Sequence, residues 1–192
     1  MRYRSLRRVS APAVEPVTLA EAKAHCRVDI DTDDSLISGY ITAARELCED
    51  YLDRALVTQQ YVMRLDSFPV EIELPRPPMA SSGTATAVTV TYTLTDSGST
   101  ATLASTLYRV DRDSTPGAIR NLYGGTWPSQ RDDPGSISVT WWAGYGAAAS
   151  VPQRVKNAIL MTVLALYENR GDAQLPPGAK ALLDSVSWGQ YA

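Results

Sequence analysis

Histidine, cysteine and phenylalanine are almost missing from this chain of 192 residues, with one, two and one copies respectively. A lone histidine, His25, excludes any metal site built from several imidazoles and leaves no second choice of base for a Ser-His-Asp arrangement. Its neighbour Cys26 points elsewhere on a helix, so the two do not form a nucleophile–base pair. Two cysteines, Cys26 and Cys48, are too few for a disulfide scaffold. Both fall where a helix packs a small apolar side chain, and they read as buried thiols. No apolar run approaches the roughly 18 residues of a membrane-spanning helix. The opening MRYRSLRRVSAPAVEP has the arginines of a signal peptide without the apolar stretch that follows them there, so synthesis in the cytoplasm is expected.

Motifs that carry chemistry are incomplete. Asp29, Asp31 and Asp33 alternate like the opening of a calcium loop, but Asp34 and Tyr40 stand where its glycine and closing glutamate are needed. Gly144-Tyr145-Gly146 lacks the third glycine of a dinucleotide loop and does not run straight into a helix. Asp132-Asp133 precede Pro134-Gly135, where acids serve a turn. The sequence therefore assigns no catalytic residue, no metal ligand and no cofactor, and the expectation is a protein that is not an enzyme.

What is present is a change of pattern along the chain. Thr18 and Glu21 form a capping box that starts a short helix over 19–27. Asp33 or Asp34 is expected to cap a longer helix running to Asp53, with Leu36, Ile37, Tyr40, Ile41, Ala44, Leu47, Cys48, Tyr51 and Leu52 recurring at steps of three and four. The period then becomes two. Strands are predicted over 57–65, 70–74, 86–95, 102–110, 118–122 and 136–142, with a hairpin turn at Asp96-Ser97-Gly98 and a break in the ladder at the prolines of 75–79. After Val151-Pro152 a second amphipathic helix carries Val155, Ile159, Thr162, Val163 and Leu166 and ends near Arg170-Gly171, followed by a short helix over 179–185.

Neither amphipathic stripe can be buried alone, so the predicted fold is α+β, with a helical-bundle core formed by N- and C-terminal helices and an inserted antiparallel β-rich lobe. The expected divisions are a flexible basic arm over 1–16, a helical core over 17–56 and 151–185, a β-rich lobe over 57–150 and a tail over 186–192. Charge is uneven: residues 1–16 carry four arginines against one acid, whereas 17–56 carry nine acids against four bases. Arg2, Arg4, Arg7 and Arg8 are thus candidates for reaching an acidic partner or a phosphate. Trp and Tyr supply much of the energy of protein interfaces. Trp188 and Tyr191 on the tail are candidate anchors, as are Trp141 and Trp142, which as neighbours on a strand must face opposite sides of a sheet.

Five segments together resemble the phage head-tail connector (adaptor) family: PVTLAEAKAHCRVD with DDSLISGYITAARELCEDYLDRAL, LPRPPM, YRVD with a following PG, VTWWAGYG, and VPQRVKNAILMTVLALYENR. Their order covers nearly all of residues 16–170. The resemblance implies a structural subunit of a ring, dodecameric in the particle, sited in the virion neck between the portal protein and a downstream tail or stopper protein. DNA would pass through its lumen without sequence-specific binding, and no membrane is involved. The long helix ending at Asp53 and the helix from Pro152 to Arg170 are the expected ring-packing body, and the tail beyond Gly178 the expected portal contact. The rival readings are a tail-completion or stopper protein of the same neck and an independent β-sandwich recognition module.

Overall fold

In the computed structural model, which describes residues 3–80, 87–169 and 174–187, the chain divides into two compact units. One unit is built from residues 1–13 and 58–145, the other from 14–57 and 146–192. The mixture of helices and antiparallel sheets is the α+β class expected.

The helical unit contains α1 (Leu19–Cys26), α2 (Asp34–Leu52), α3 (Gln153–Glu168) and α4 (Pro177–Asp184). The capping box at the start of α1 is complete: the Glu21 amide donates to Thr18 Oγ1 at 3.2 Å and the Thr18 amide to Glu21 Oε2 at 2.7 Å. The bond from the Thr18 amide, and after it one from the Thr18 hydroxyl to the same Oε2 at 2.7 Å, hold the Glu21 carboxyl below its usual range. Arg27 takes a left-handed conformation that ends α1, and Asp53 does the same for α2. The α2 stripe turns Ile37, Ile41, Ala44, Cys48 and Leu52 inward, while α3 buries Val155, Ala158, Ile159, Thr162, Val163 and Leu166. Helix α3 packs against α1, α2 and α4, so its apolar face is shared among three neighbours. The Thr162 hydroxyl, buried in that face, donates to the Ala158 carbonyl at 2.8 Å. Asp33 occupies the N-cap position of α2, but its side chain caps no amide; it accepts from Tyr167 Oη at 2.7 Å instead. A phenol held by tertiary packing outcompetes the local amide there.

The sheet unit contains two antiparallel sheets. Its five-stranded sheet has the order β1-β2-β8-β4-β5, with β1 Ser5–Ser10, β2 Gln59–Leu65, β4 Thr89–Thr93, β5 Thr100–Thr102 and β8 Ile137–Ala143. Three further strands, β3 (Glu71–Leu74), β6 (Tyr108–Asp111) and β7 (Gly117–Asn121), form the second sheet in the order β3-β7-β6. Register fixes which side chains share a face: Tyr61 lies opposite Trp141, Met63 opposite Val139 and Leu65 opposite Ile137, and all six are buried. Each such burial contributes about 1.5–3 kcal/mol. On the opposite face Thr89 and Thr91 of β4 lie across from Thr140 and Ser138 of β8, beside Val62 and Trp142. In the second sheet Ile72 and Ile119 pair across the strands and are buried.

Two expectations are corrected here. Residues 5–10, read from sequence as part of a flexible basic arm over 1–16, form β1 and pair along β2 from Ser5 opposite Arg64 to Ser10 opposite Gln60, with a bulge between Arg8 and Ser10. The ladder and Leu6, which lies opposite Met63, outweigh the mobility that a run of arginines suggests. The segment 102–110 is not one strand: Ala104 to Leu107 leave the ladder in a short 3-10 turn over 105–107 between β5 and β6. The hairpin turn at Asp96-Ser97-Gly98 joins β4 to β5, with Gly98 at φ 68°.

Candidate functional site

The candidate residues are distributed over the sheet unit and the chain ends. Trp141 is fully buried and stacks on Tyr61 with ring centroids 5.9 Å apart. As a direct interface contact it is therefore excluded: it belongs to the core of its own sheet. Trp142 lies on the opposite face beside Gln60 and is half-buried, the orientation that strand alternation requires. Arg4 is exposed and its Nη1 lies 3.5 Å from Asp66 Oδ1. Asp66 in turn accepts from the Gly135 amide at 2.6 Å. Arg7 stands opposite Val62 and Arg8 opposite Tyr61 on the edge strand β1, both exposed. Arg2, Trp188 and Tyr191 lie outside the described residues.

Of the carboxylates that alternate before α2, Asp31 and Asp33 have partners within the helical unit. Lys23 Nζ lies 2.7 Å from Asp31 Oδ1 and 2.6 Å from Asp34 Oδ1, hydrogen bonds that raise the Lys23 ammonium and lower the Asp31 carboxyl relative to their ordinary values. Among the described residues no cluster of three or more His, Cys, Asp or Glu is placed to hold a metal ion. Also among them, no helix is long and apolar enough to cross a membrane.

Sequence reasoning missed a buried ionic group. Arg45 in α2 is only 2% exposed; its Nη1 donates to Glu49 Oε2 at 2.6 Å and its Nε to Glu15 Oε2 at 2.8 Å. Glu49 Oε1 accepts from the Leu56 amide at 2.9 Å, and Glu15 Oε1 from Thr42 Oγ1 at 2.9 Å. The network ties the segment entering the unit and the segment leaving α2 to one helix. Burial pulls the Arg45 guanidinium down, but Glu49 and Glu15 more than offset it and hold it above its ordinary value. Arg45 and Glu49 sit at i and i+4 within the stripe itself, and that spacing was the available signal. Cys48, on the same buried face, has its thiol pushed up to about 12 by burial.

A second feature lies at one end of the three-stranded sheet. Val70 precedes β3, Leu107 precedes β6, and Leu122-Tyr123 follow β7. Because Glu71 faces Arg120 and Tyr108 faces Asn121 across the strands, these apolar side chains gather at the same end. The Leu122 amide donates to the Leu107 carbonyl at 3.4 Å. Two open clefts of about 490 and 640 Å³ flank them, sharing Arg120 and Asn121. Phe68 and Trp127, stacked at 4.9 Å, wall the first, with Trp127 Nε1 donating to the Pro69 carbonyl at 2.7 Å. Arg109, Asp111 and Asp113 line the second. Nothing in either cleft forms a nucleophile–base pair.

Residues 16–77 match the family model of the phage gp6-like head-tail connector protein, a span that runs from the approach to α1 through β3. The chain is similar, at 21% identity and a TM-score of 0.77, to a chain in the neck of an empty gene transfer agent (GTA) particle computed with C6 symmetry, covering 94% of each. A chain in the neck of the native GTA particle computed with C12 symmetry matches at 22% identity and a TM-score of 0.74, covering 94% of this chain and 93% of that one. A chain of the native GTA virion matches at 22% identity and a TM-score of 0.74, covering 95% and 94%. No curated protein matches the chain. The likeness to the phage head-tail connector family is carried by sequence over residues 16–77, and the likeness in fold to chains of GTA particles extends over nearly the whole chain.

Proposed function

We propose that the chain is a structural, non-enzymatic subunit of the virion neck: a head-tail connector that forms a ring, with twelve copies in the particle, beneath the portal. The observation that carries this is the joint one: a head-tail connector family match at the start of the chain and a fold shared over 94% of its length with neck chains of a particle. The dodecamer accords with the C12 symmetry with which one such neck was computed. In this reading the helical unit is the ring-packing body and DNA passes through the lumen. The net acidity of residues 17–56 disfavours phosphate binding there, because duplex affinity comes chiefly from Lys and Arg.

A downstream tail or stopper protein would bind the opposite side of the ring. The tail bearing Trp188 and Tyr191 engages the portal through these two aromatic anchors. Negative-stain imaging of the chain mixed with its portal protein tests this: the expected outcome is a ring seated directly on the portal without a third protein. Binding only after another neck protein is present would assign the stopper position instead. Removing residues 188–192, which spares α4, is expected to abolish portal binding; unchanged binding would discard the tail assignment.

A further inference from the structure

Helix α4 is short, and only Ala179 and Leu183 are buried along it. Four residues apart, they share one face of the helix, which packs against α3 and α2. The seat is tight at the N-terminal end: Leu175 is buried, and a Cβ on Gly178 would come within 2.5 Å of Met161 Cε on α3. At the C-terminal end two side chains from different helices take hold. Tyr51 of α2 donates from Oη to Asp184 Oδ1 at 2.7 Å, and Arg154 of α3 donates from Nη1 to Ser185 Oγ at 3.2 Å. Asp184 is the last residue of α4 and Ser185 its C-cap. The bond to Asp184, ahead of burial, holds the Tyr51 phenol above its ordinary value, so the phenol keeps the proton it donates at neutral pH.

One line of apolar contact leaves a helix able to roll and to swing at the end away from its seat. Ties to two different neighbours remove both freedoms. The hydrogen-bonded chain then runs on without slack: the Val186 amide donates to the Leu183 carbonyl at 3.0 Å, and the Ser187 amide and hydroxyl donate to the Asp184 carbonyl at 3.2 and 3.1 Å. Trp188 is the next residue. We infer that Tyr51 and Arg154 are positioning residues for the tail: by gripping Asp184 and Ser185 they fix the direction in which residues 188–192 leave the helical unit, and so pre-organise Trp188 and Tyr191 for the portal protein. The inference rests on the portal reading proposed above and adds the residues that aim the tail. Pre-organisation raises affinity by reducing what must be ordered on binding. Loss of this latch therefore weakens portal binding although every tail residue is intact.

Variants of the full chain test this by two readouts, one of which needs no portal. The latch variant combines Tyr51→Phe with Arg154→Gln; both positions are exposed, so the wild-type circular dichroism is expected. Hydrogen exchange of the free chain should be at least about tenfold faster across residues 180–187 and unchanged across 155–166. Affinity for immobilised portal protein should fall by at least about tenfold. Asp184→Asn keeps an oxygen that can accept from the phenol and should bind the portal like wild type, whereas Asp184→Ala should be weakened. Unchanged exchange in the latch variant would overturn the latch whatever the portal does. Faster exchange with wild-type portal affinity would reduce the two residues to a role in local stability and overturn their positioning role. If the chain lacking residues 188–192 binds the portal as wild type does, the tail reading falls and the positioning role with it, while the exchange result still reports whether Tyr51 and Arg154 hold α4.

Discussion

Arg45 shows how much one side chain can hold in place. Its guanidinium meets Glu15 and Glu49 with almost no access to water. Truncating it leaves Glu49, itself buried, with an uncompensated charge. Arg45→Ala is therefore expected to destabilise the helical unit by about 3–5 kcal/mol, read as a lowered midpoint of denaturant unfolding followed by helical circular dichroism. Cys48 makes a pH-dependent contribution of known sign. Its folded thiol ionises near 12 against an ordinary 9.0, so above pH 9 the unfolded chain loses this proton first. Stability is present in full below pH 9 and falls as pH rises towards 12. Cys48→Ala should flatten that part of the stability profile, and in the native chain a thiol reagent should modify half-buried Cys26 ahead of Cys48. At this scale the sequence was legible where alternation ruled: one of Trp141 and Trp142 had to turn inward, though not which one. It was illegible at Arg45 and Glu49, because charged residues read as surface until tertiary packing supplies partners.

Among the elements, α1 depends most on a local device. It has only eight residues and buries Ala22 alone among its side chains, so its start relies on the Thr18–Glu21 box. Thr18→Ala is expected to cost about 1 kcal/mol, measurable as reduced hydrogen-exchange protection across residues 19–26 with α3 less affected. The helices were legible to within two residues at either end where the boundaries lie among described residues, because caps, Pro152 and the apolar stripes act locally. Strands β2, β3, β7 and β8 were similarly readable. Strand β1 was not: Arg4, Arg7 and Arg8 mask its period, and what makes it a strand is β2, some fifty residues on. The 3-10 turn at 105–107 was also hidden, since Ser, Thr and Leu fit a strand and a turn alike.

Taken as a whole molecule, the chain is two units whose sequences interrupt each other. Residues 58–145 divide the helical unit, and the sheet unit takes its edge strand from the extreme N-terminal segment. Deleting residues 1–10 removes β1 and uncovers the edge of β2. The expected result is a lower unfolding midpoint by tryptophan fluorescence, which Trp127, Trp141 and Trp142 confine largely to the sheet unit, with helical circular dichroism nearly unchanged. A mobile arm would leave both signals as they were. The broad plan of helices surrounding an inserted sheet region was legible because periodicity changes twice along the chain. The unit boundary at residue 13 was not, since pairing over long sequence separation leaves no local mark.

The order of segments also sets a timetable for synthesis. Helix α2 is complete at Leu52, but α3, which covers its inward stripe, begins at Gln153, so roughly a hundred residues must leave the ribosome while Ile37, Ile41 and Cys48 stay uncovered. Strand β1 waits as well, for β2 and then for β8 to complete the sheet. Nascent chains of this protein should therefore lean on holding chaperones until α3 emerges in about the last fifth of the chain, and stalled products ending before α3 should be found in aggregates.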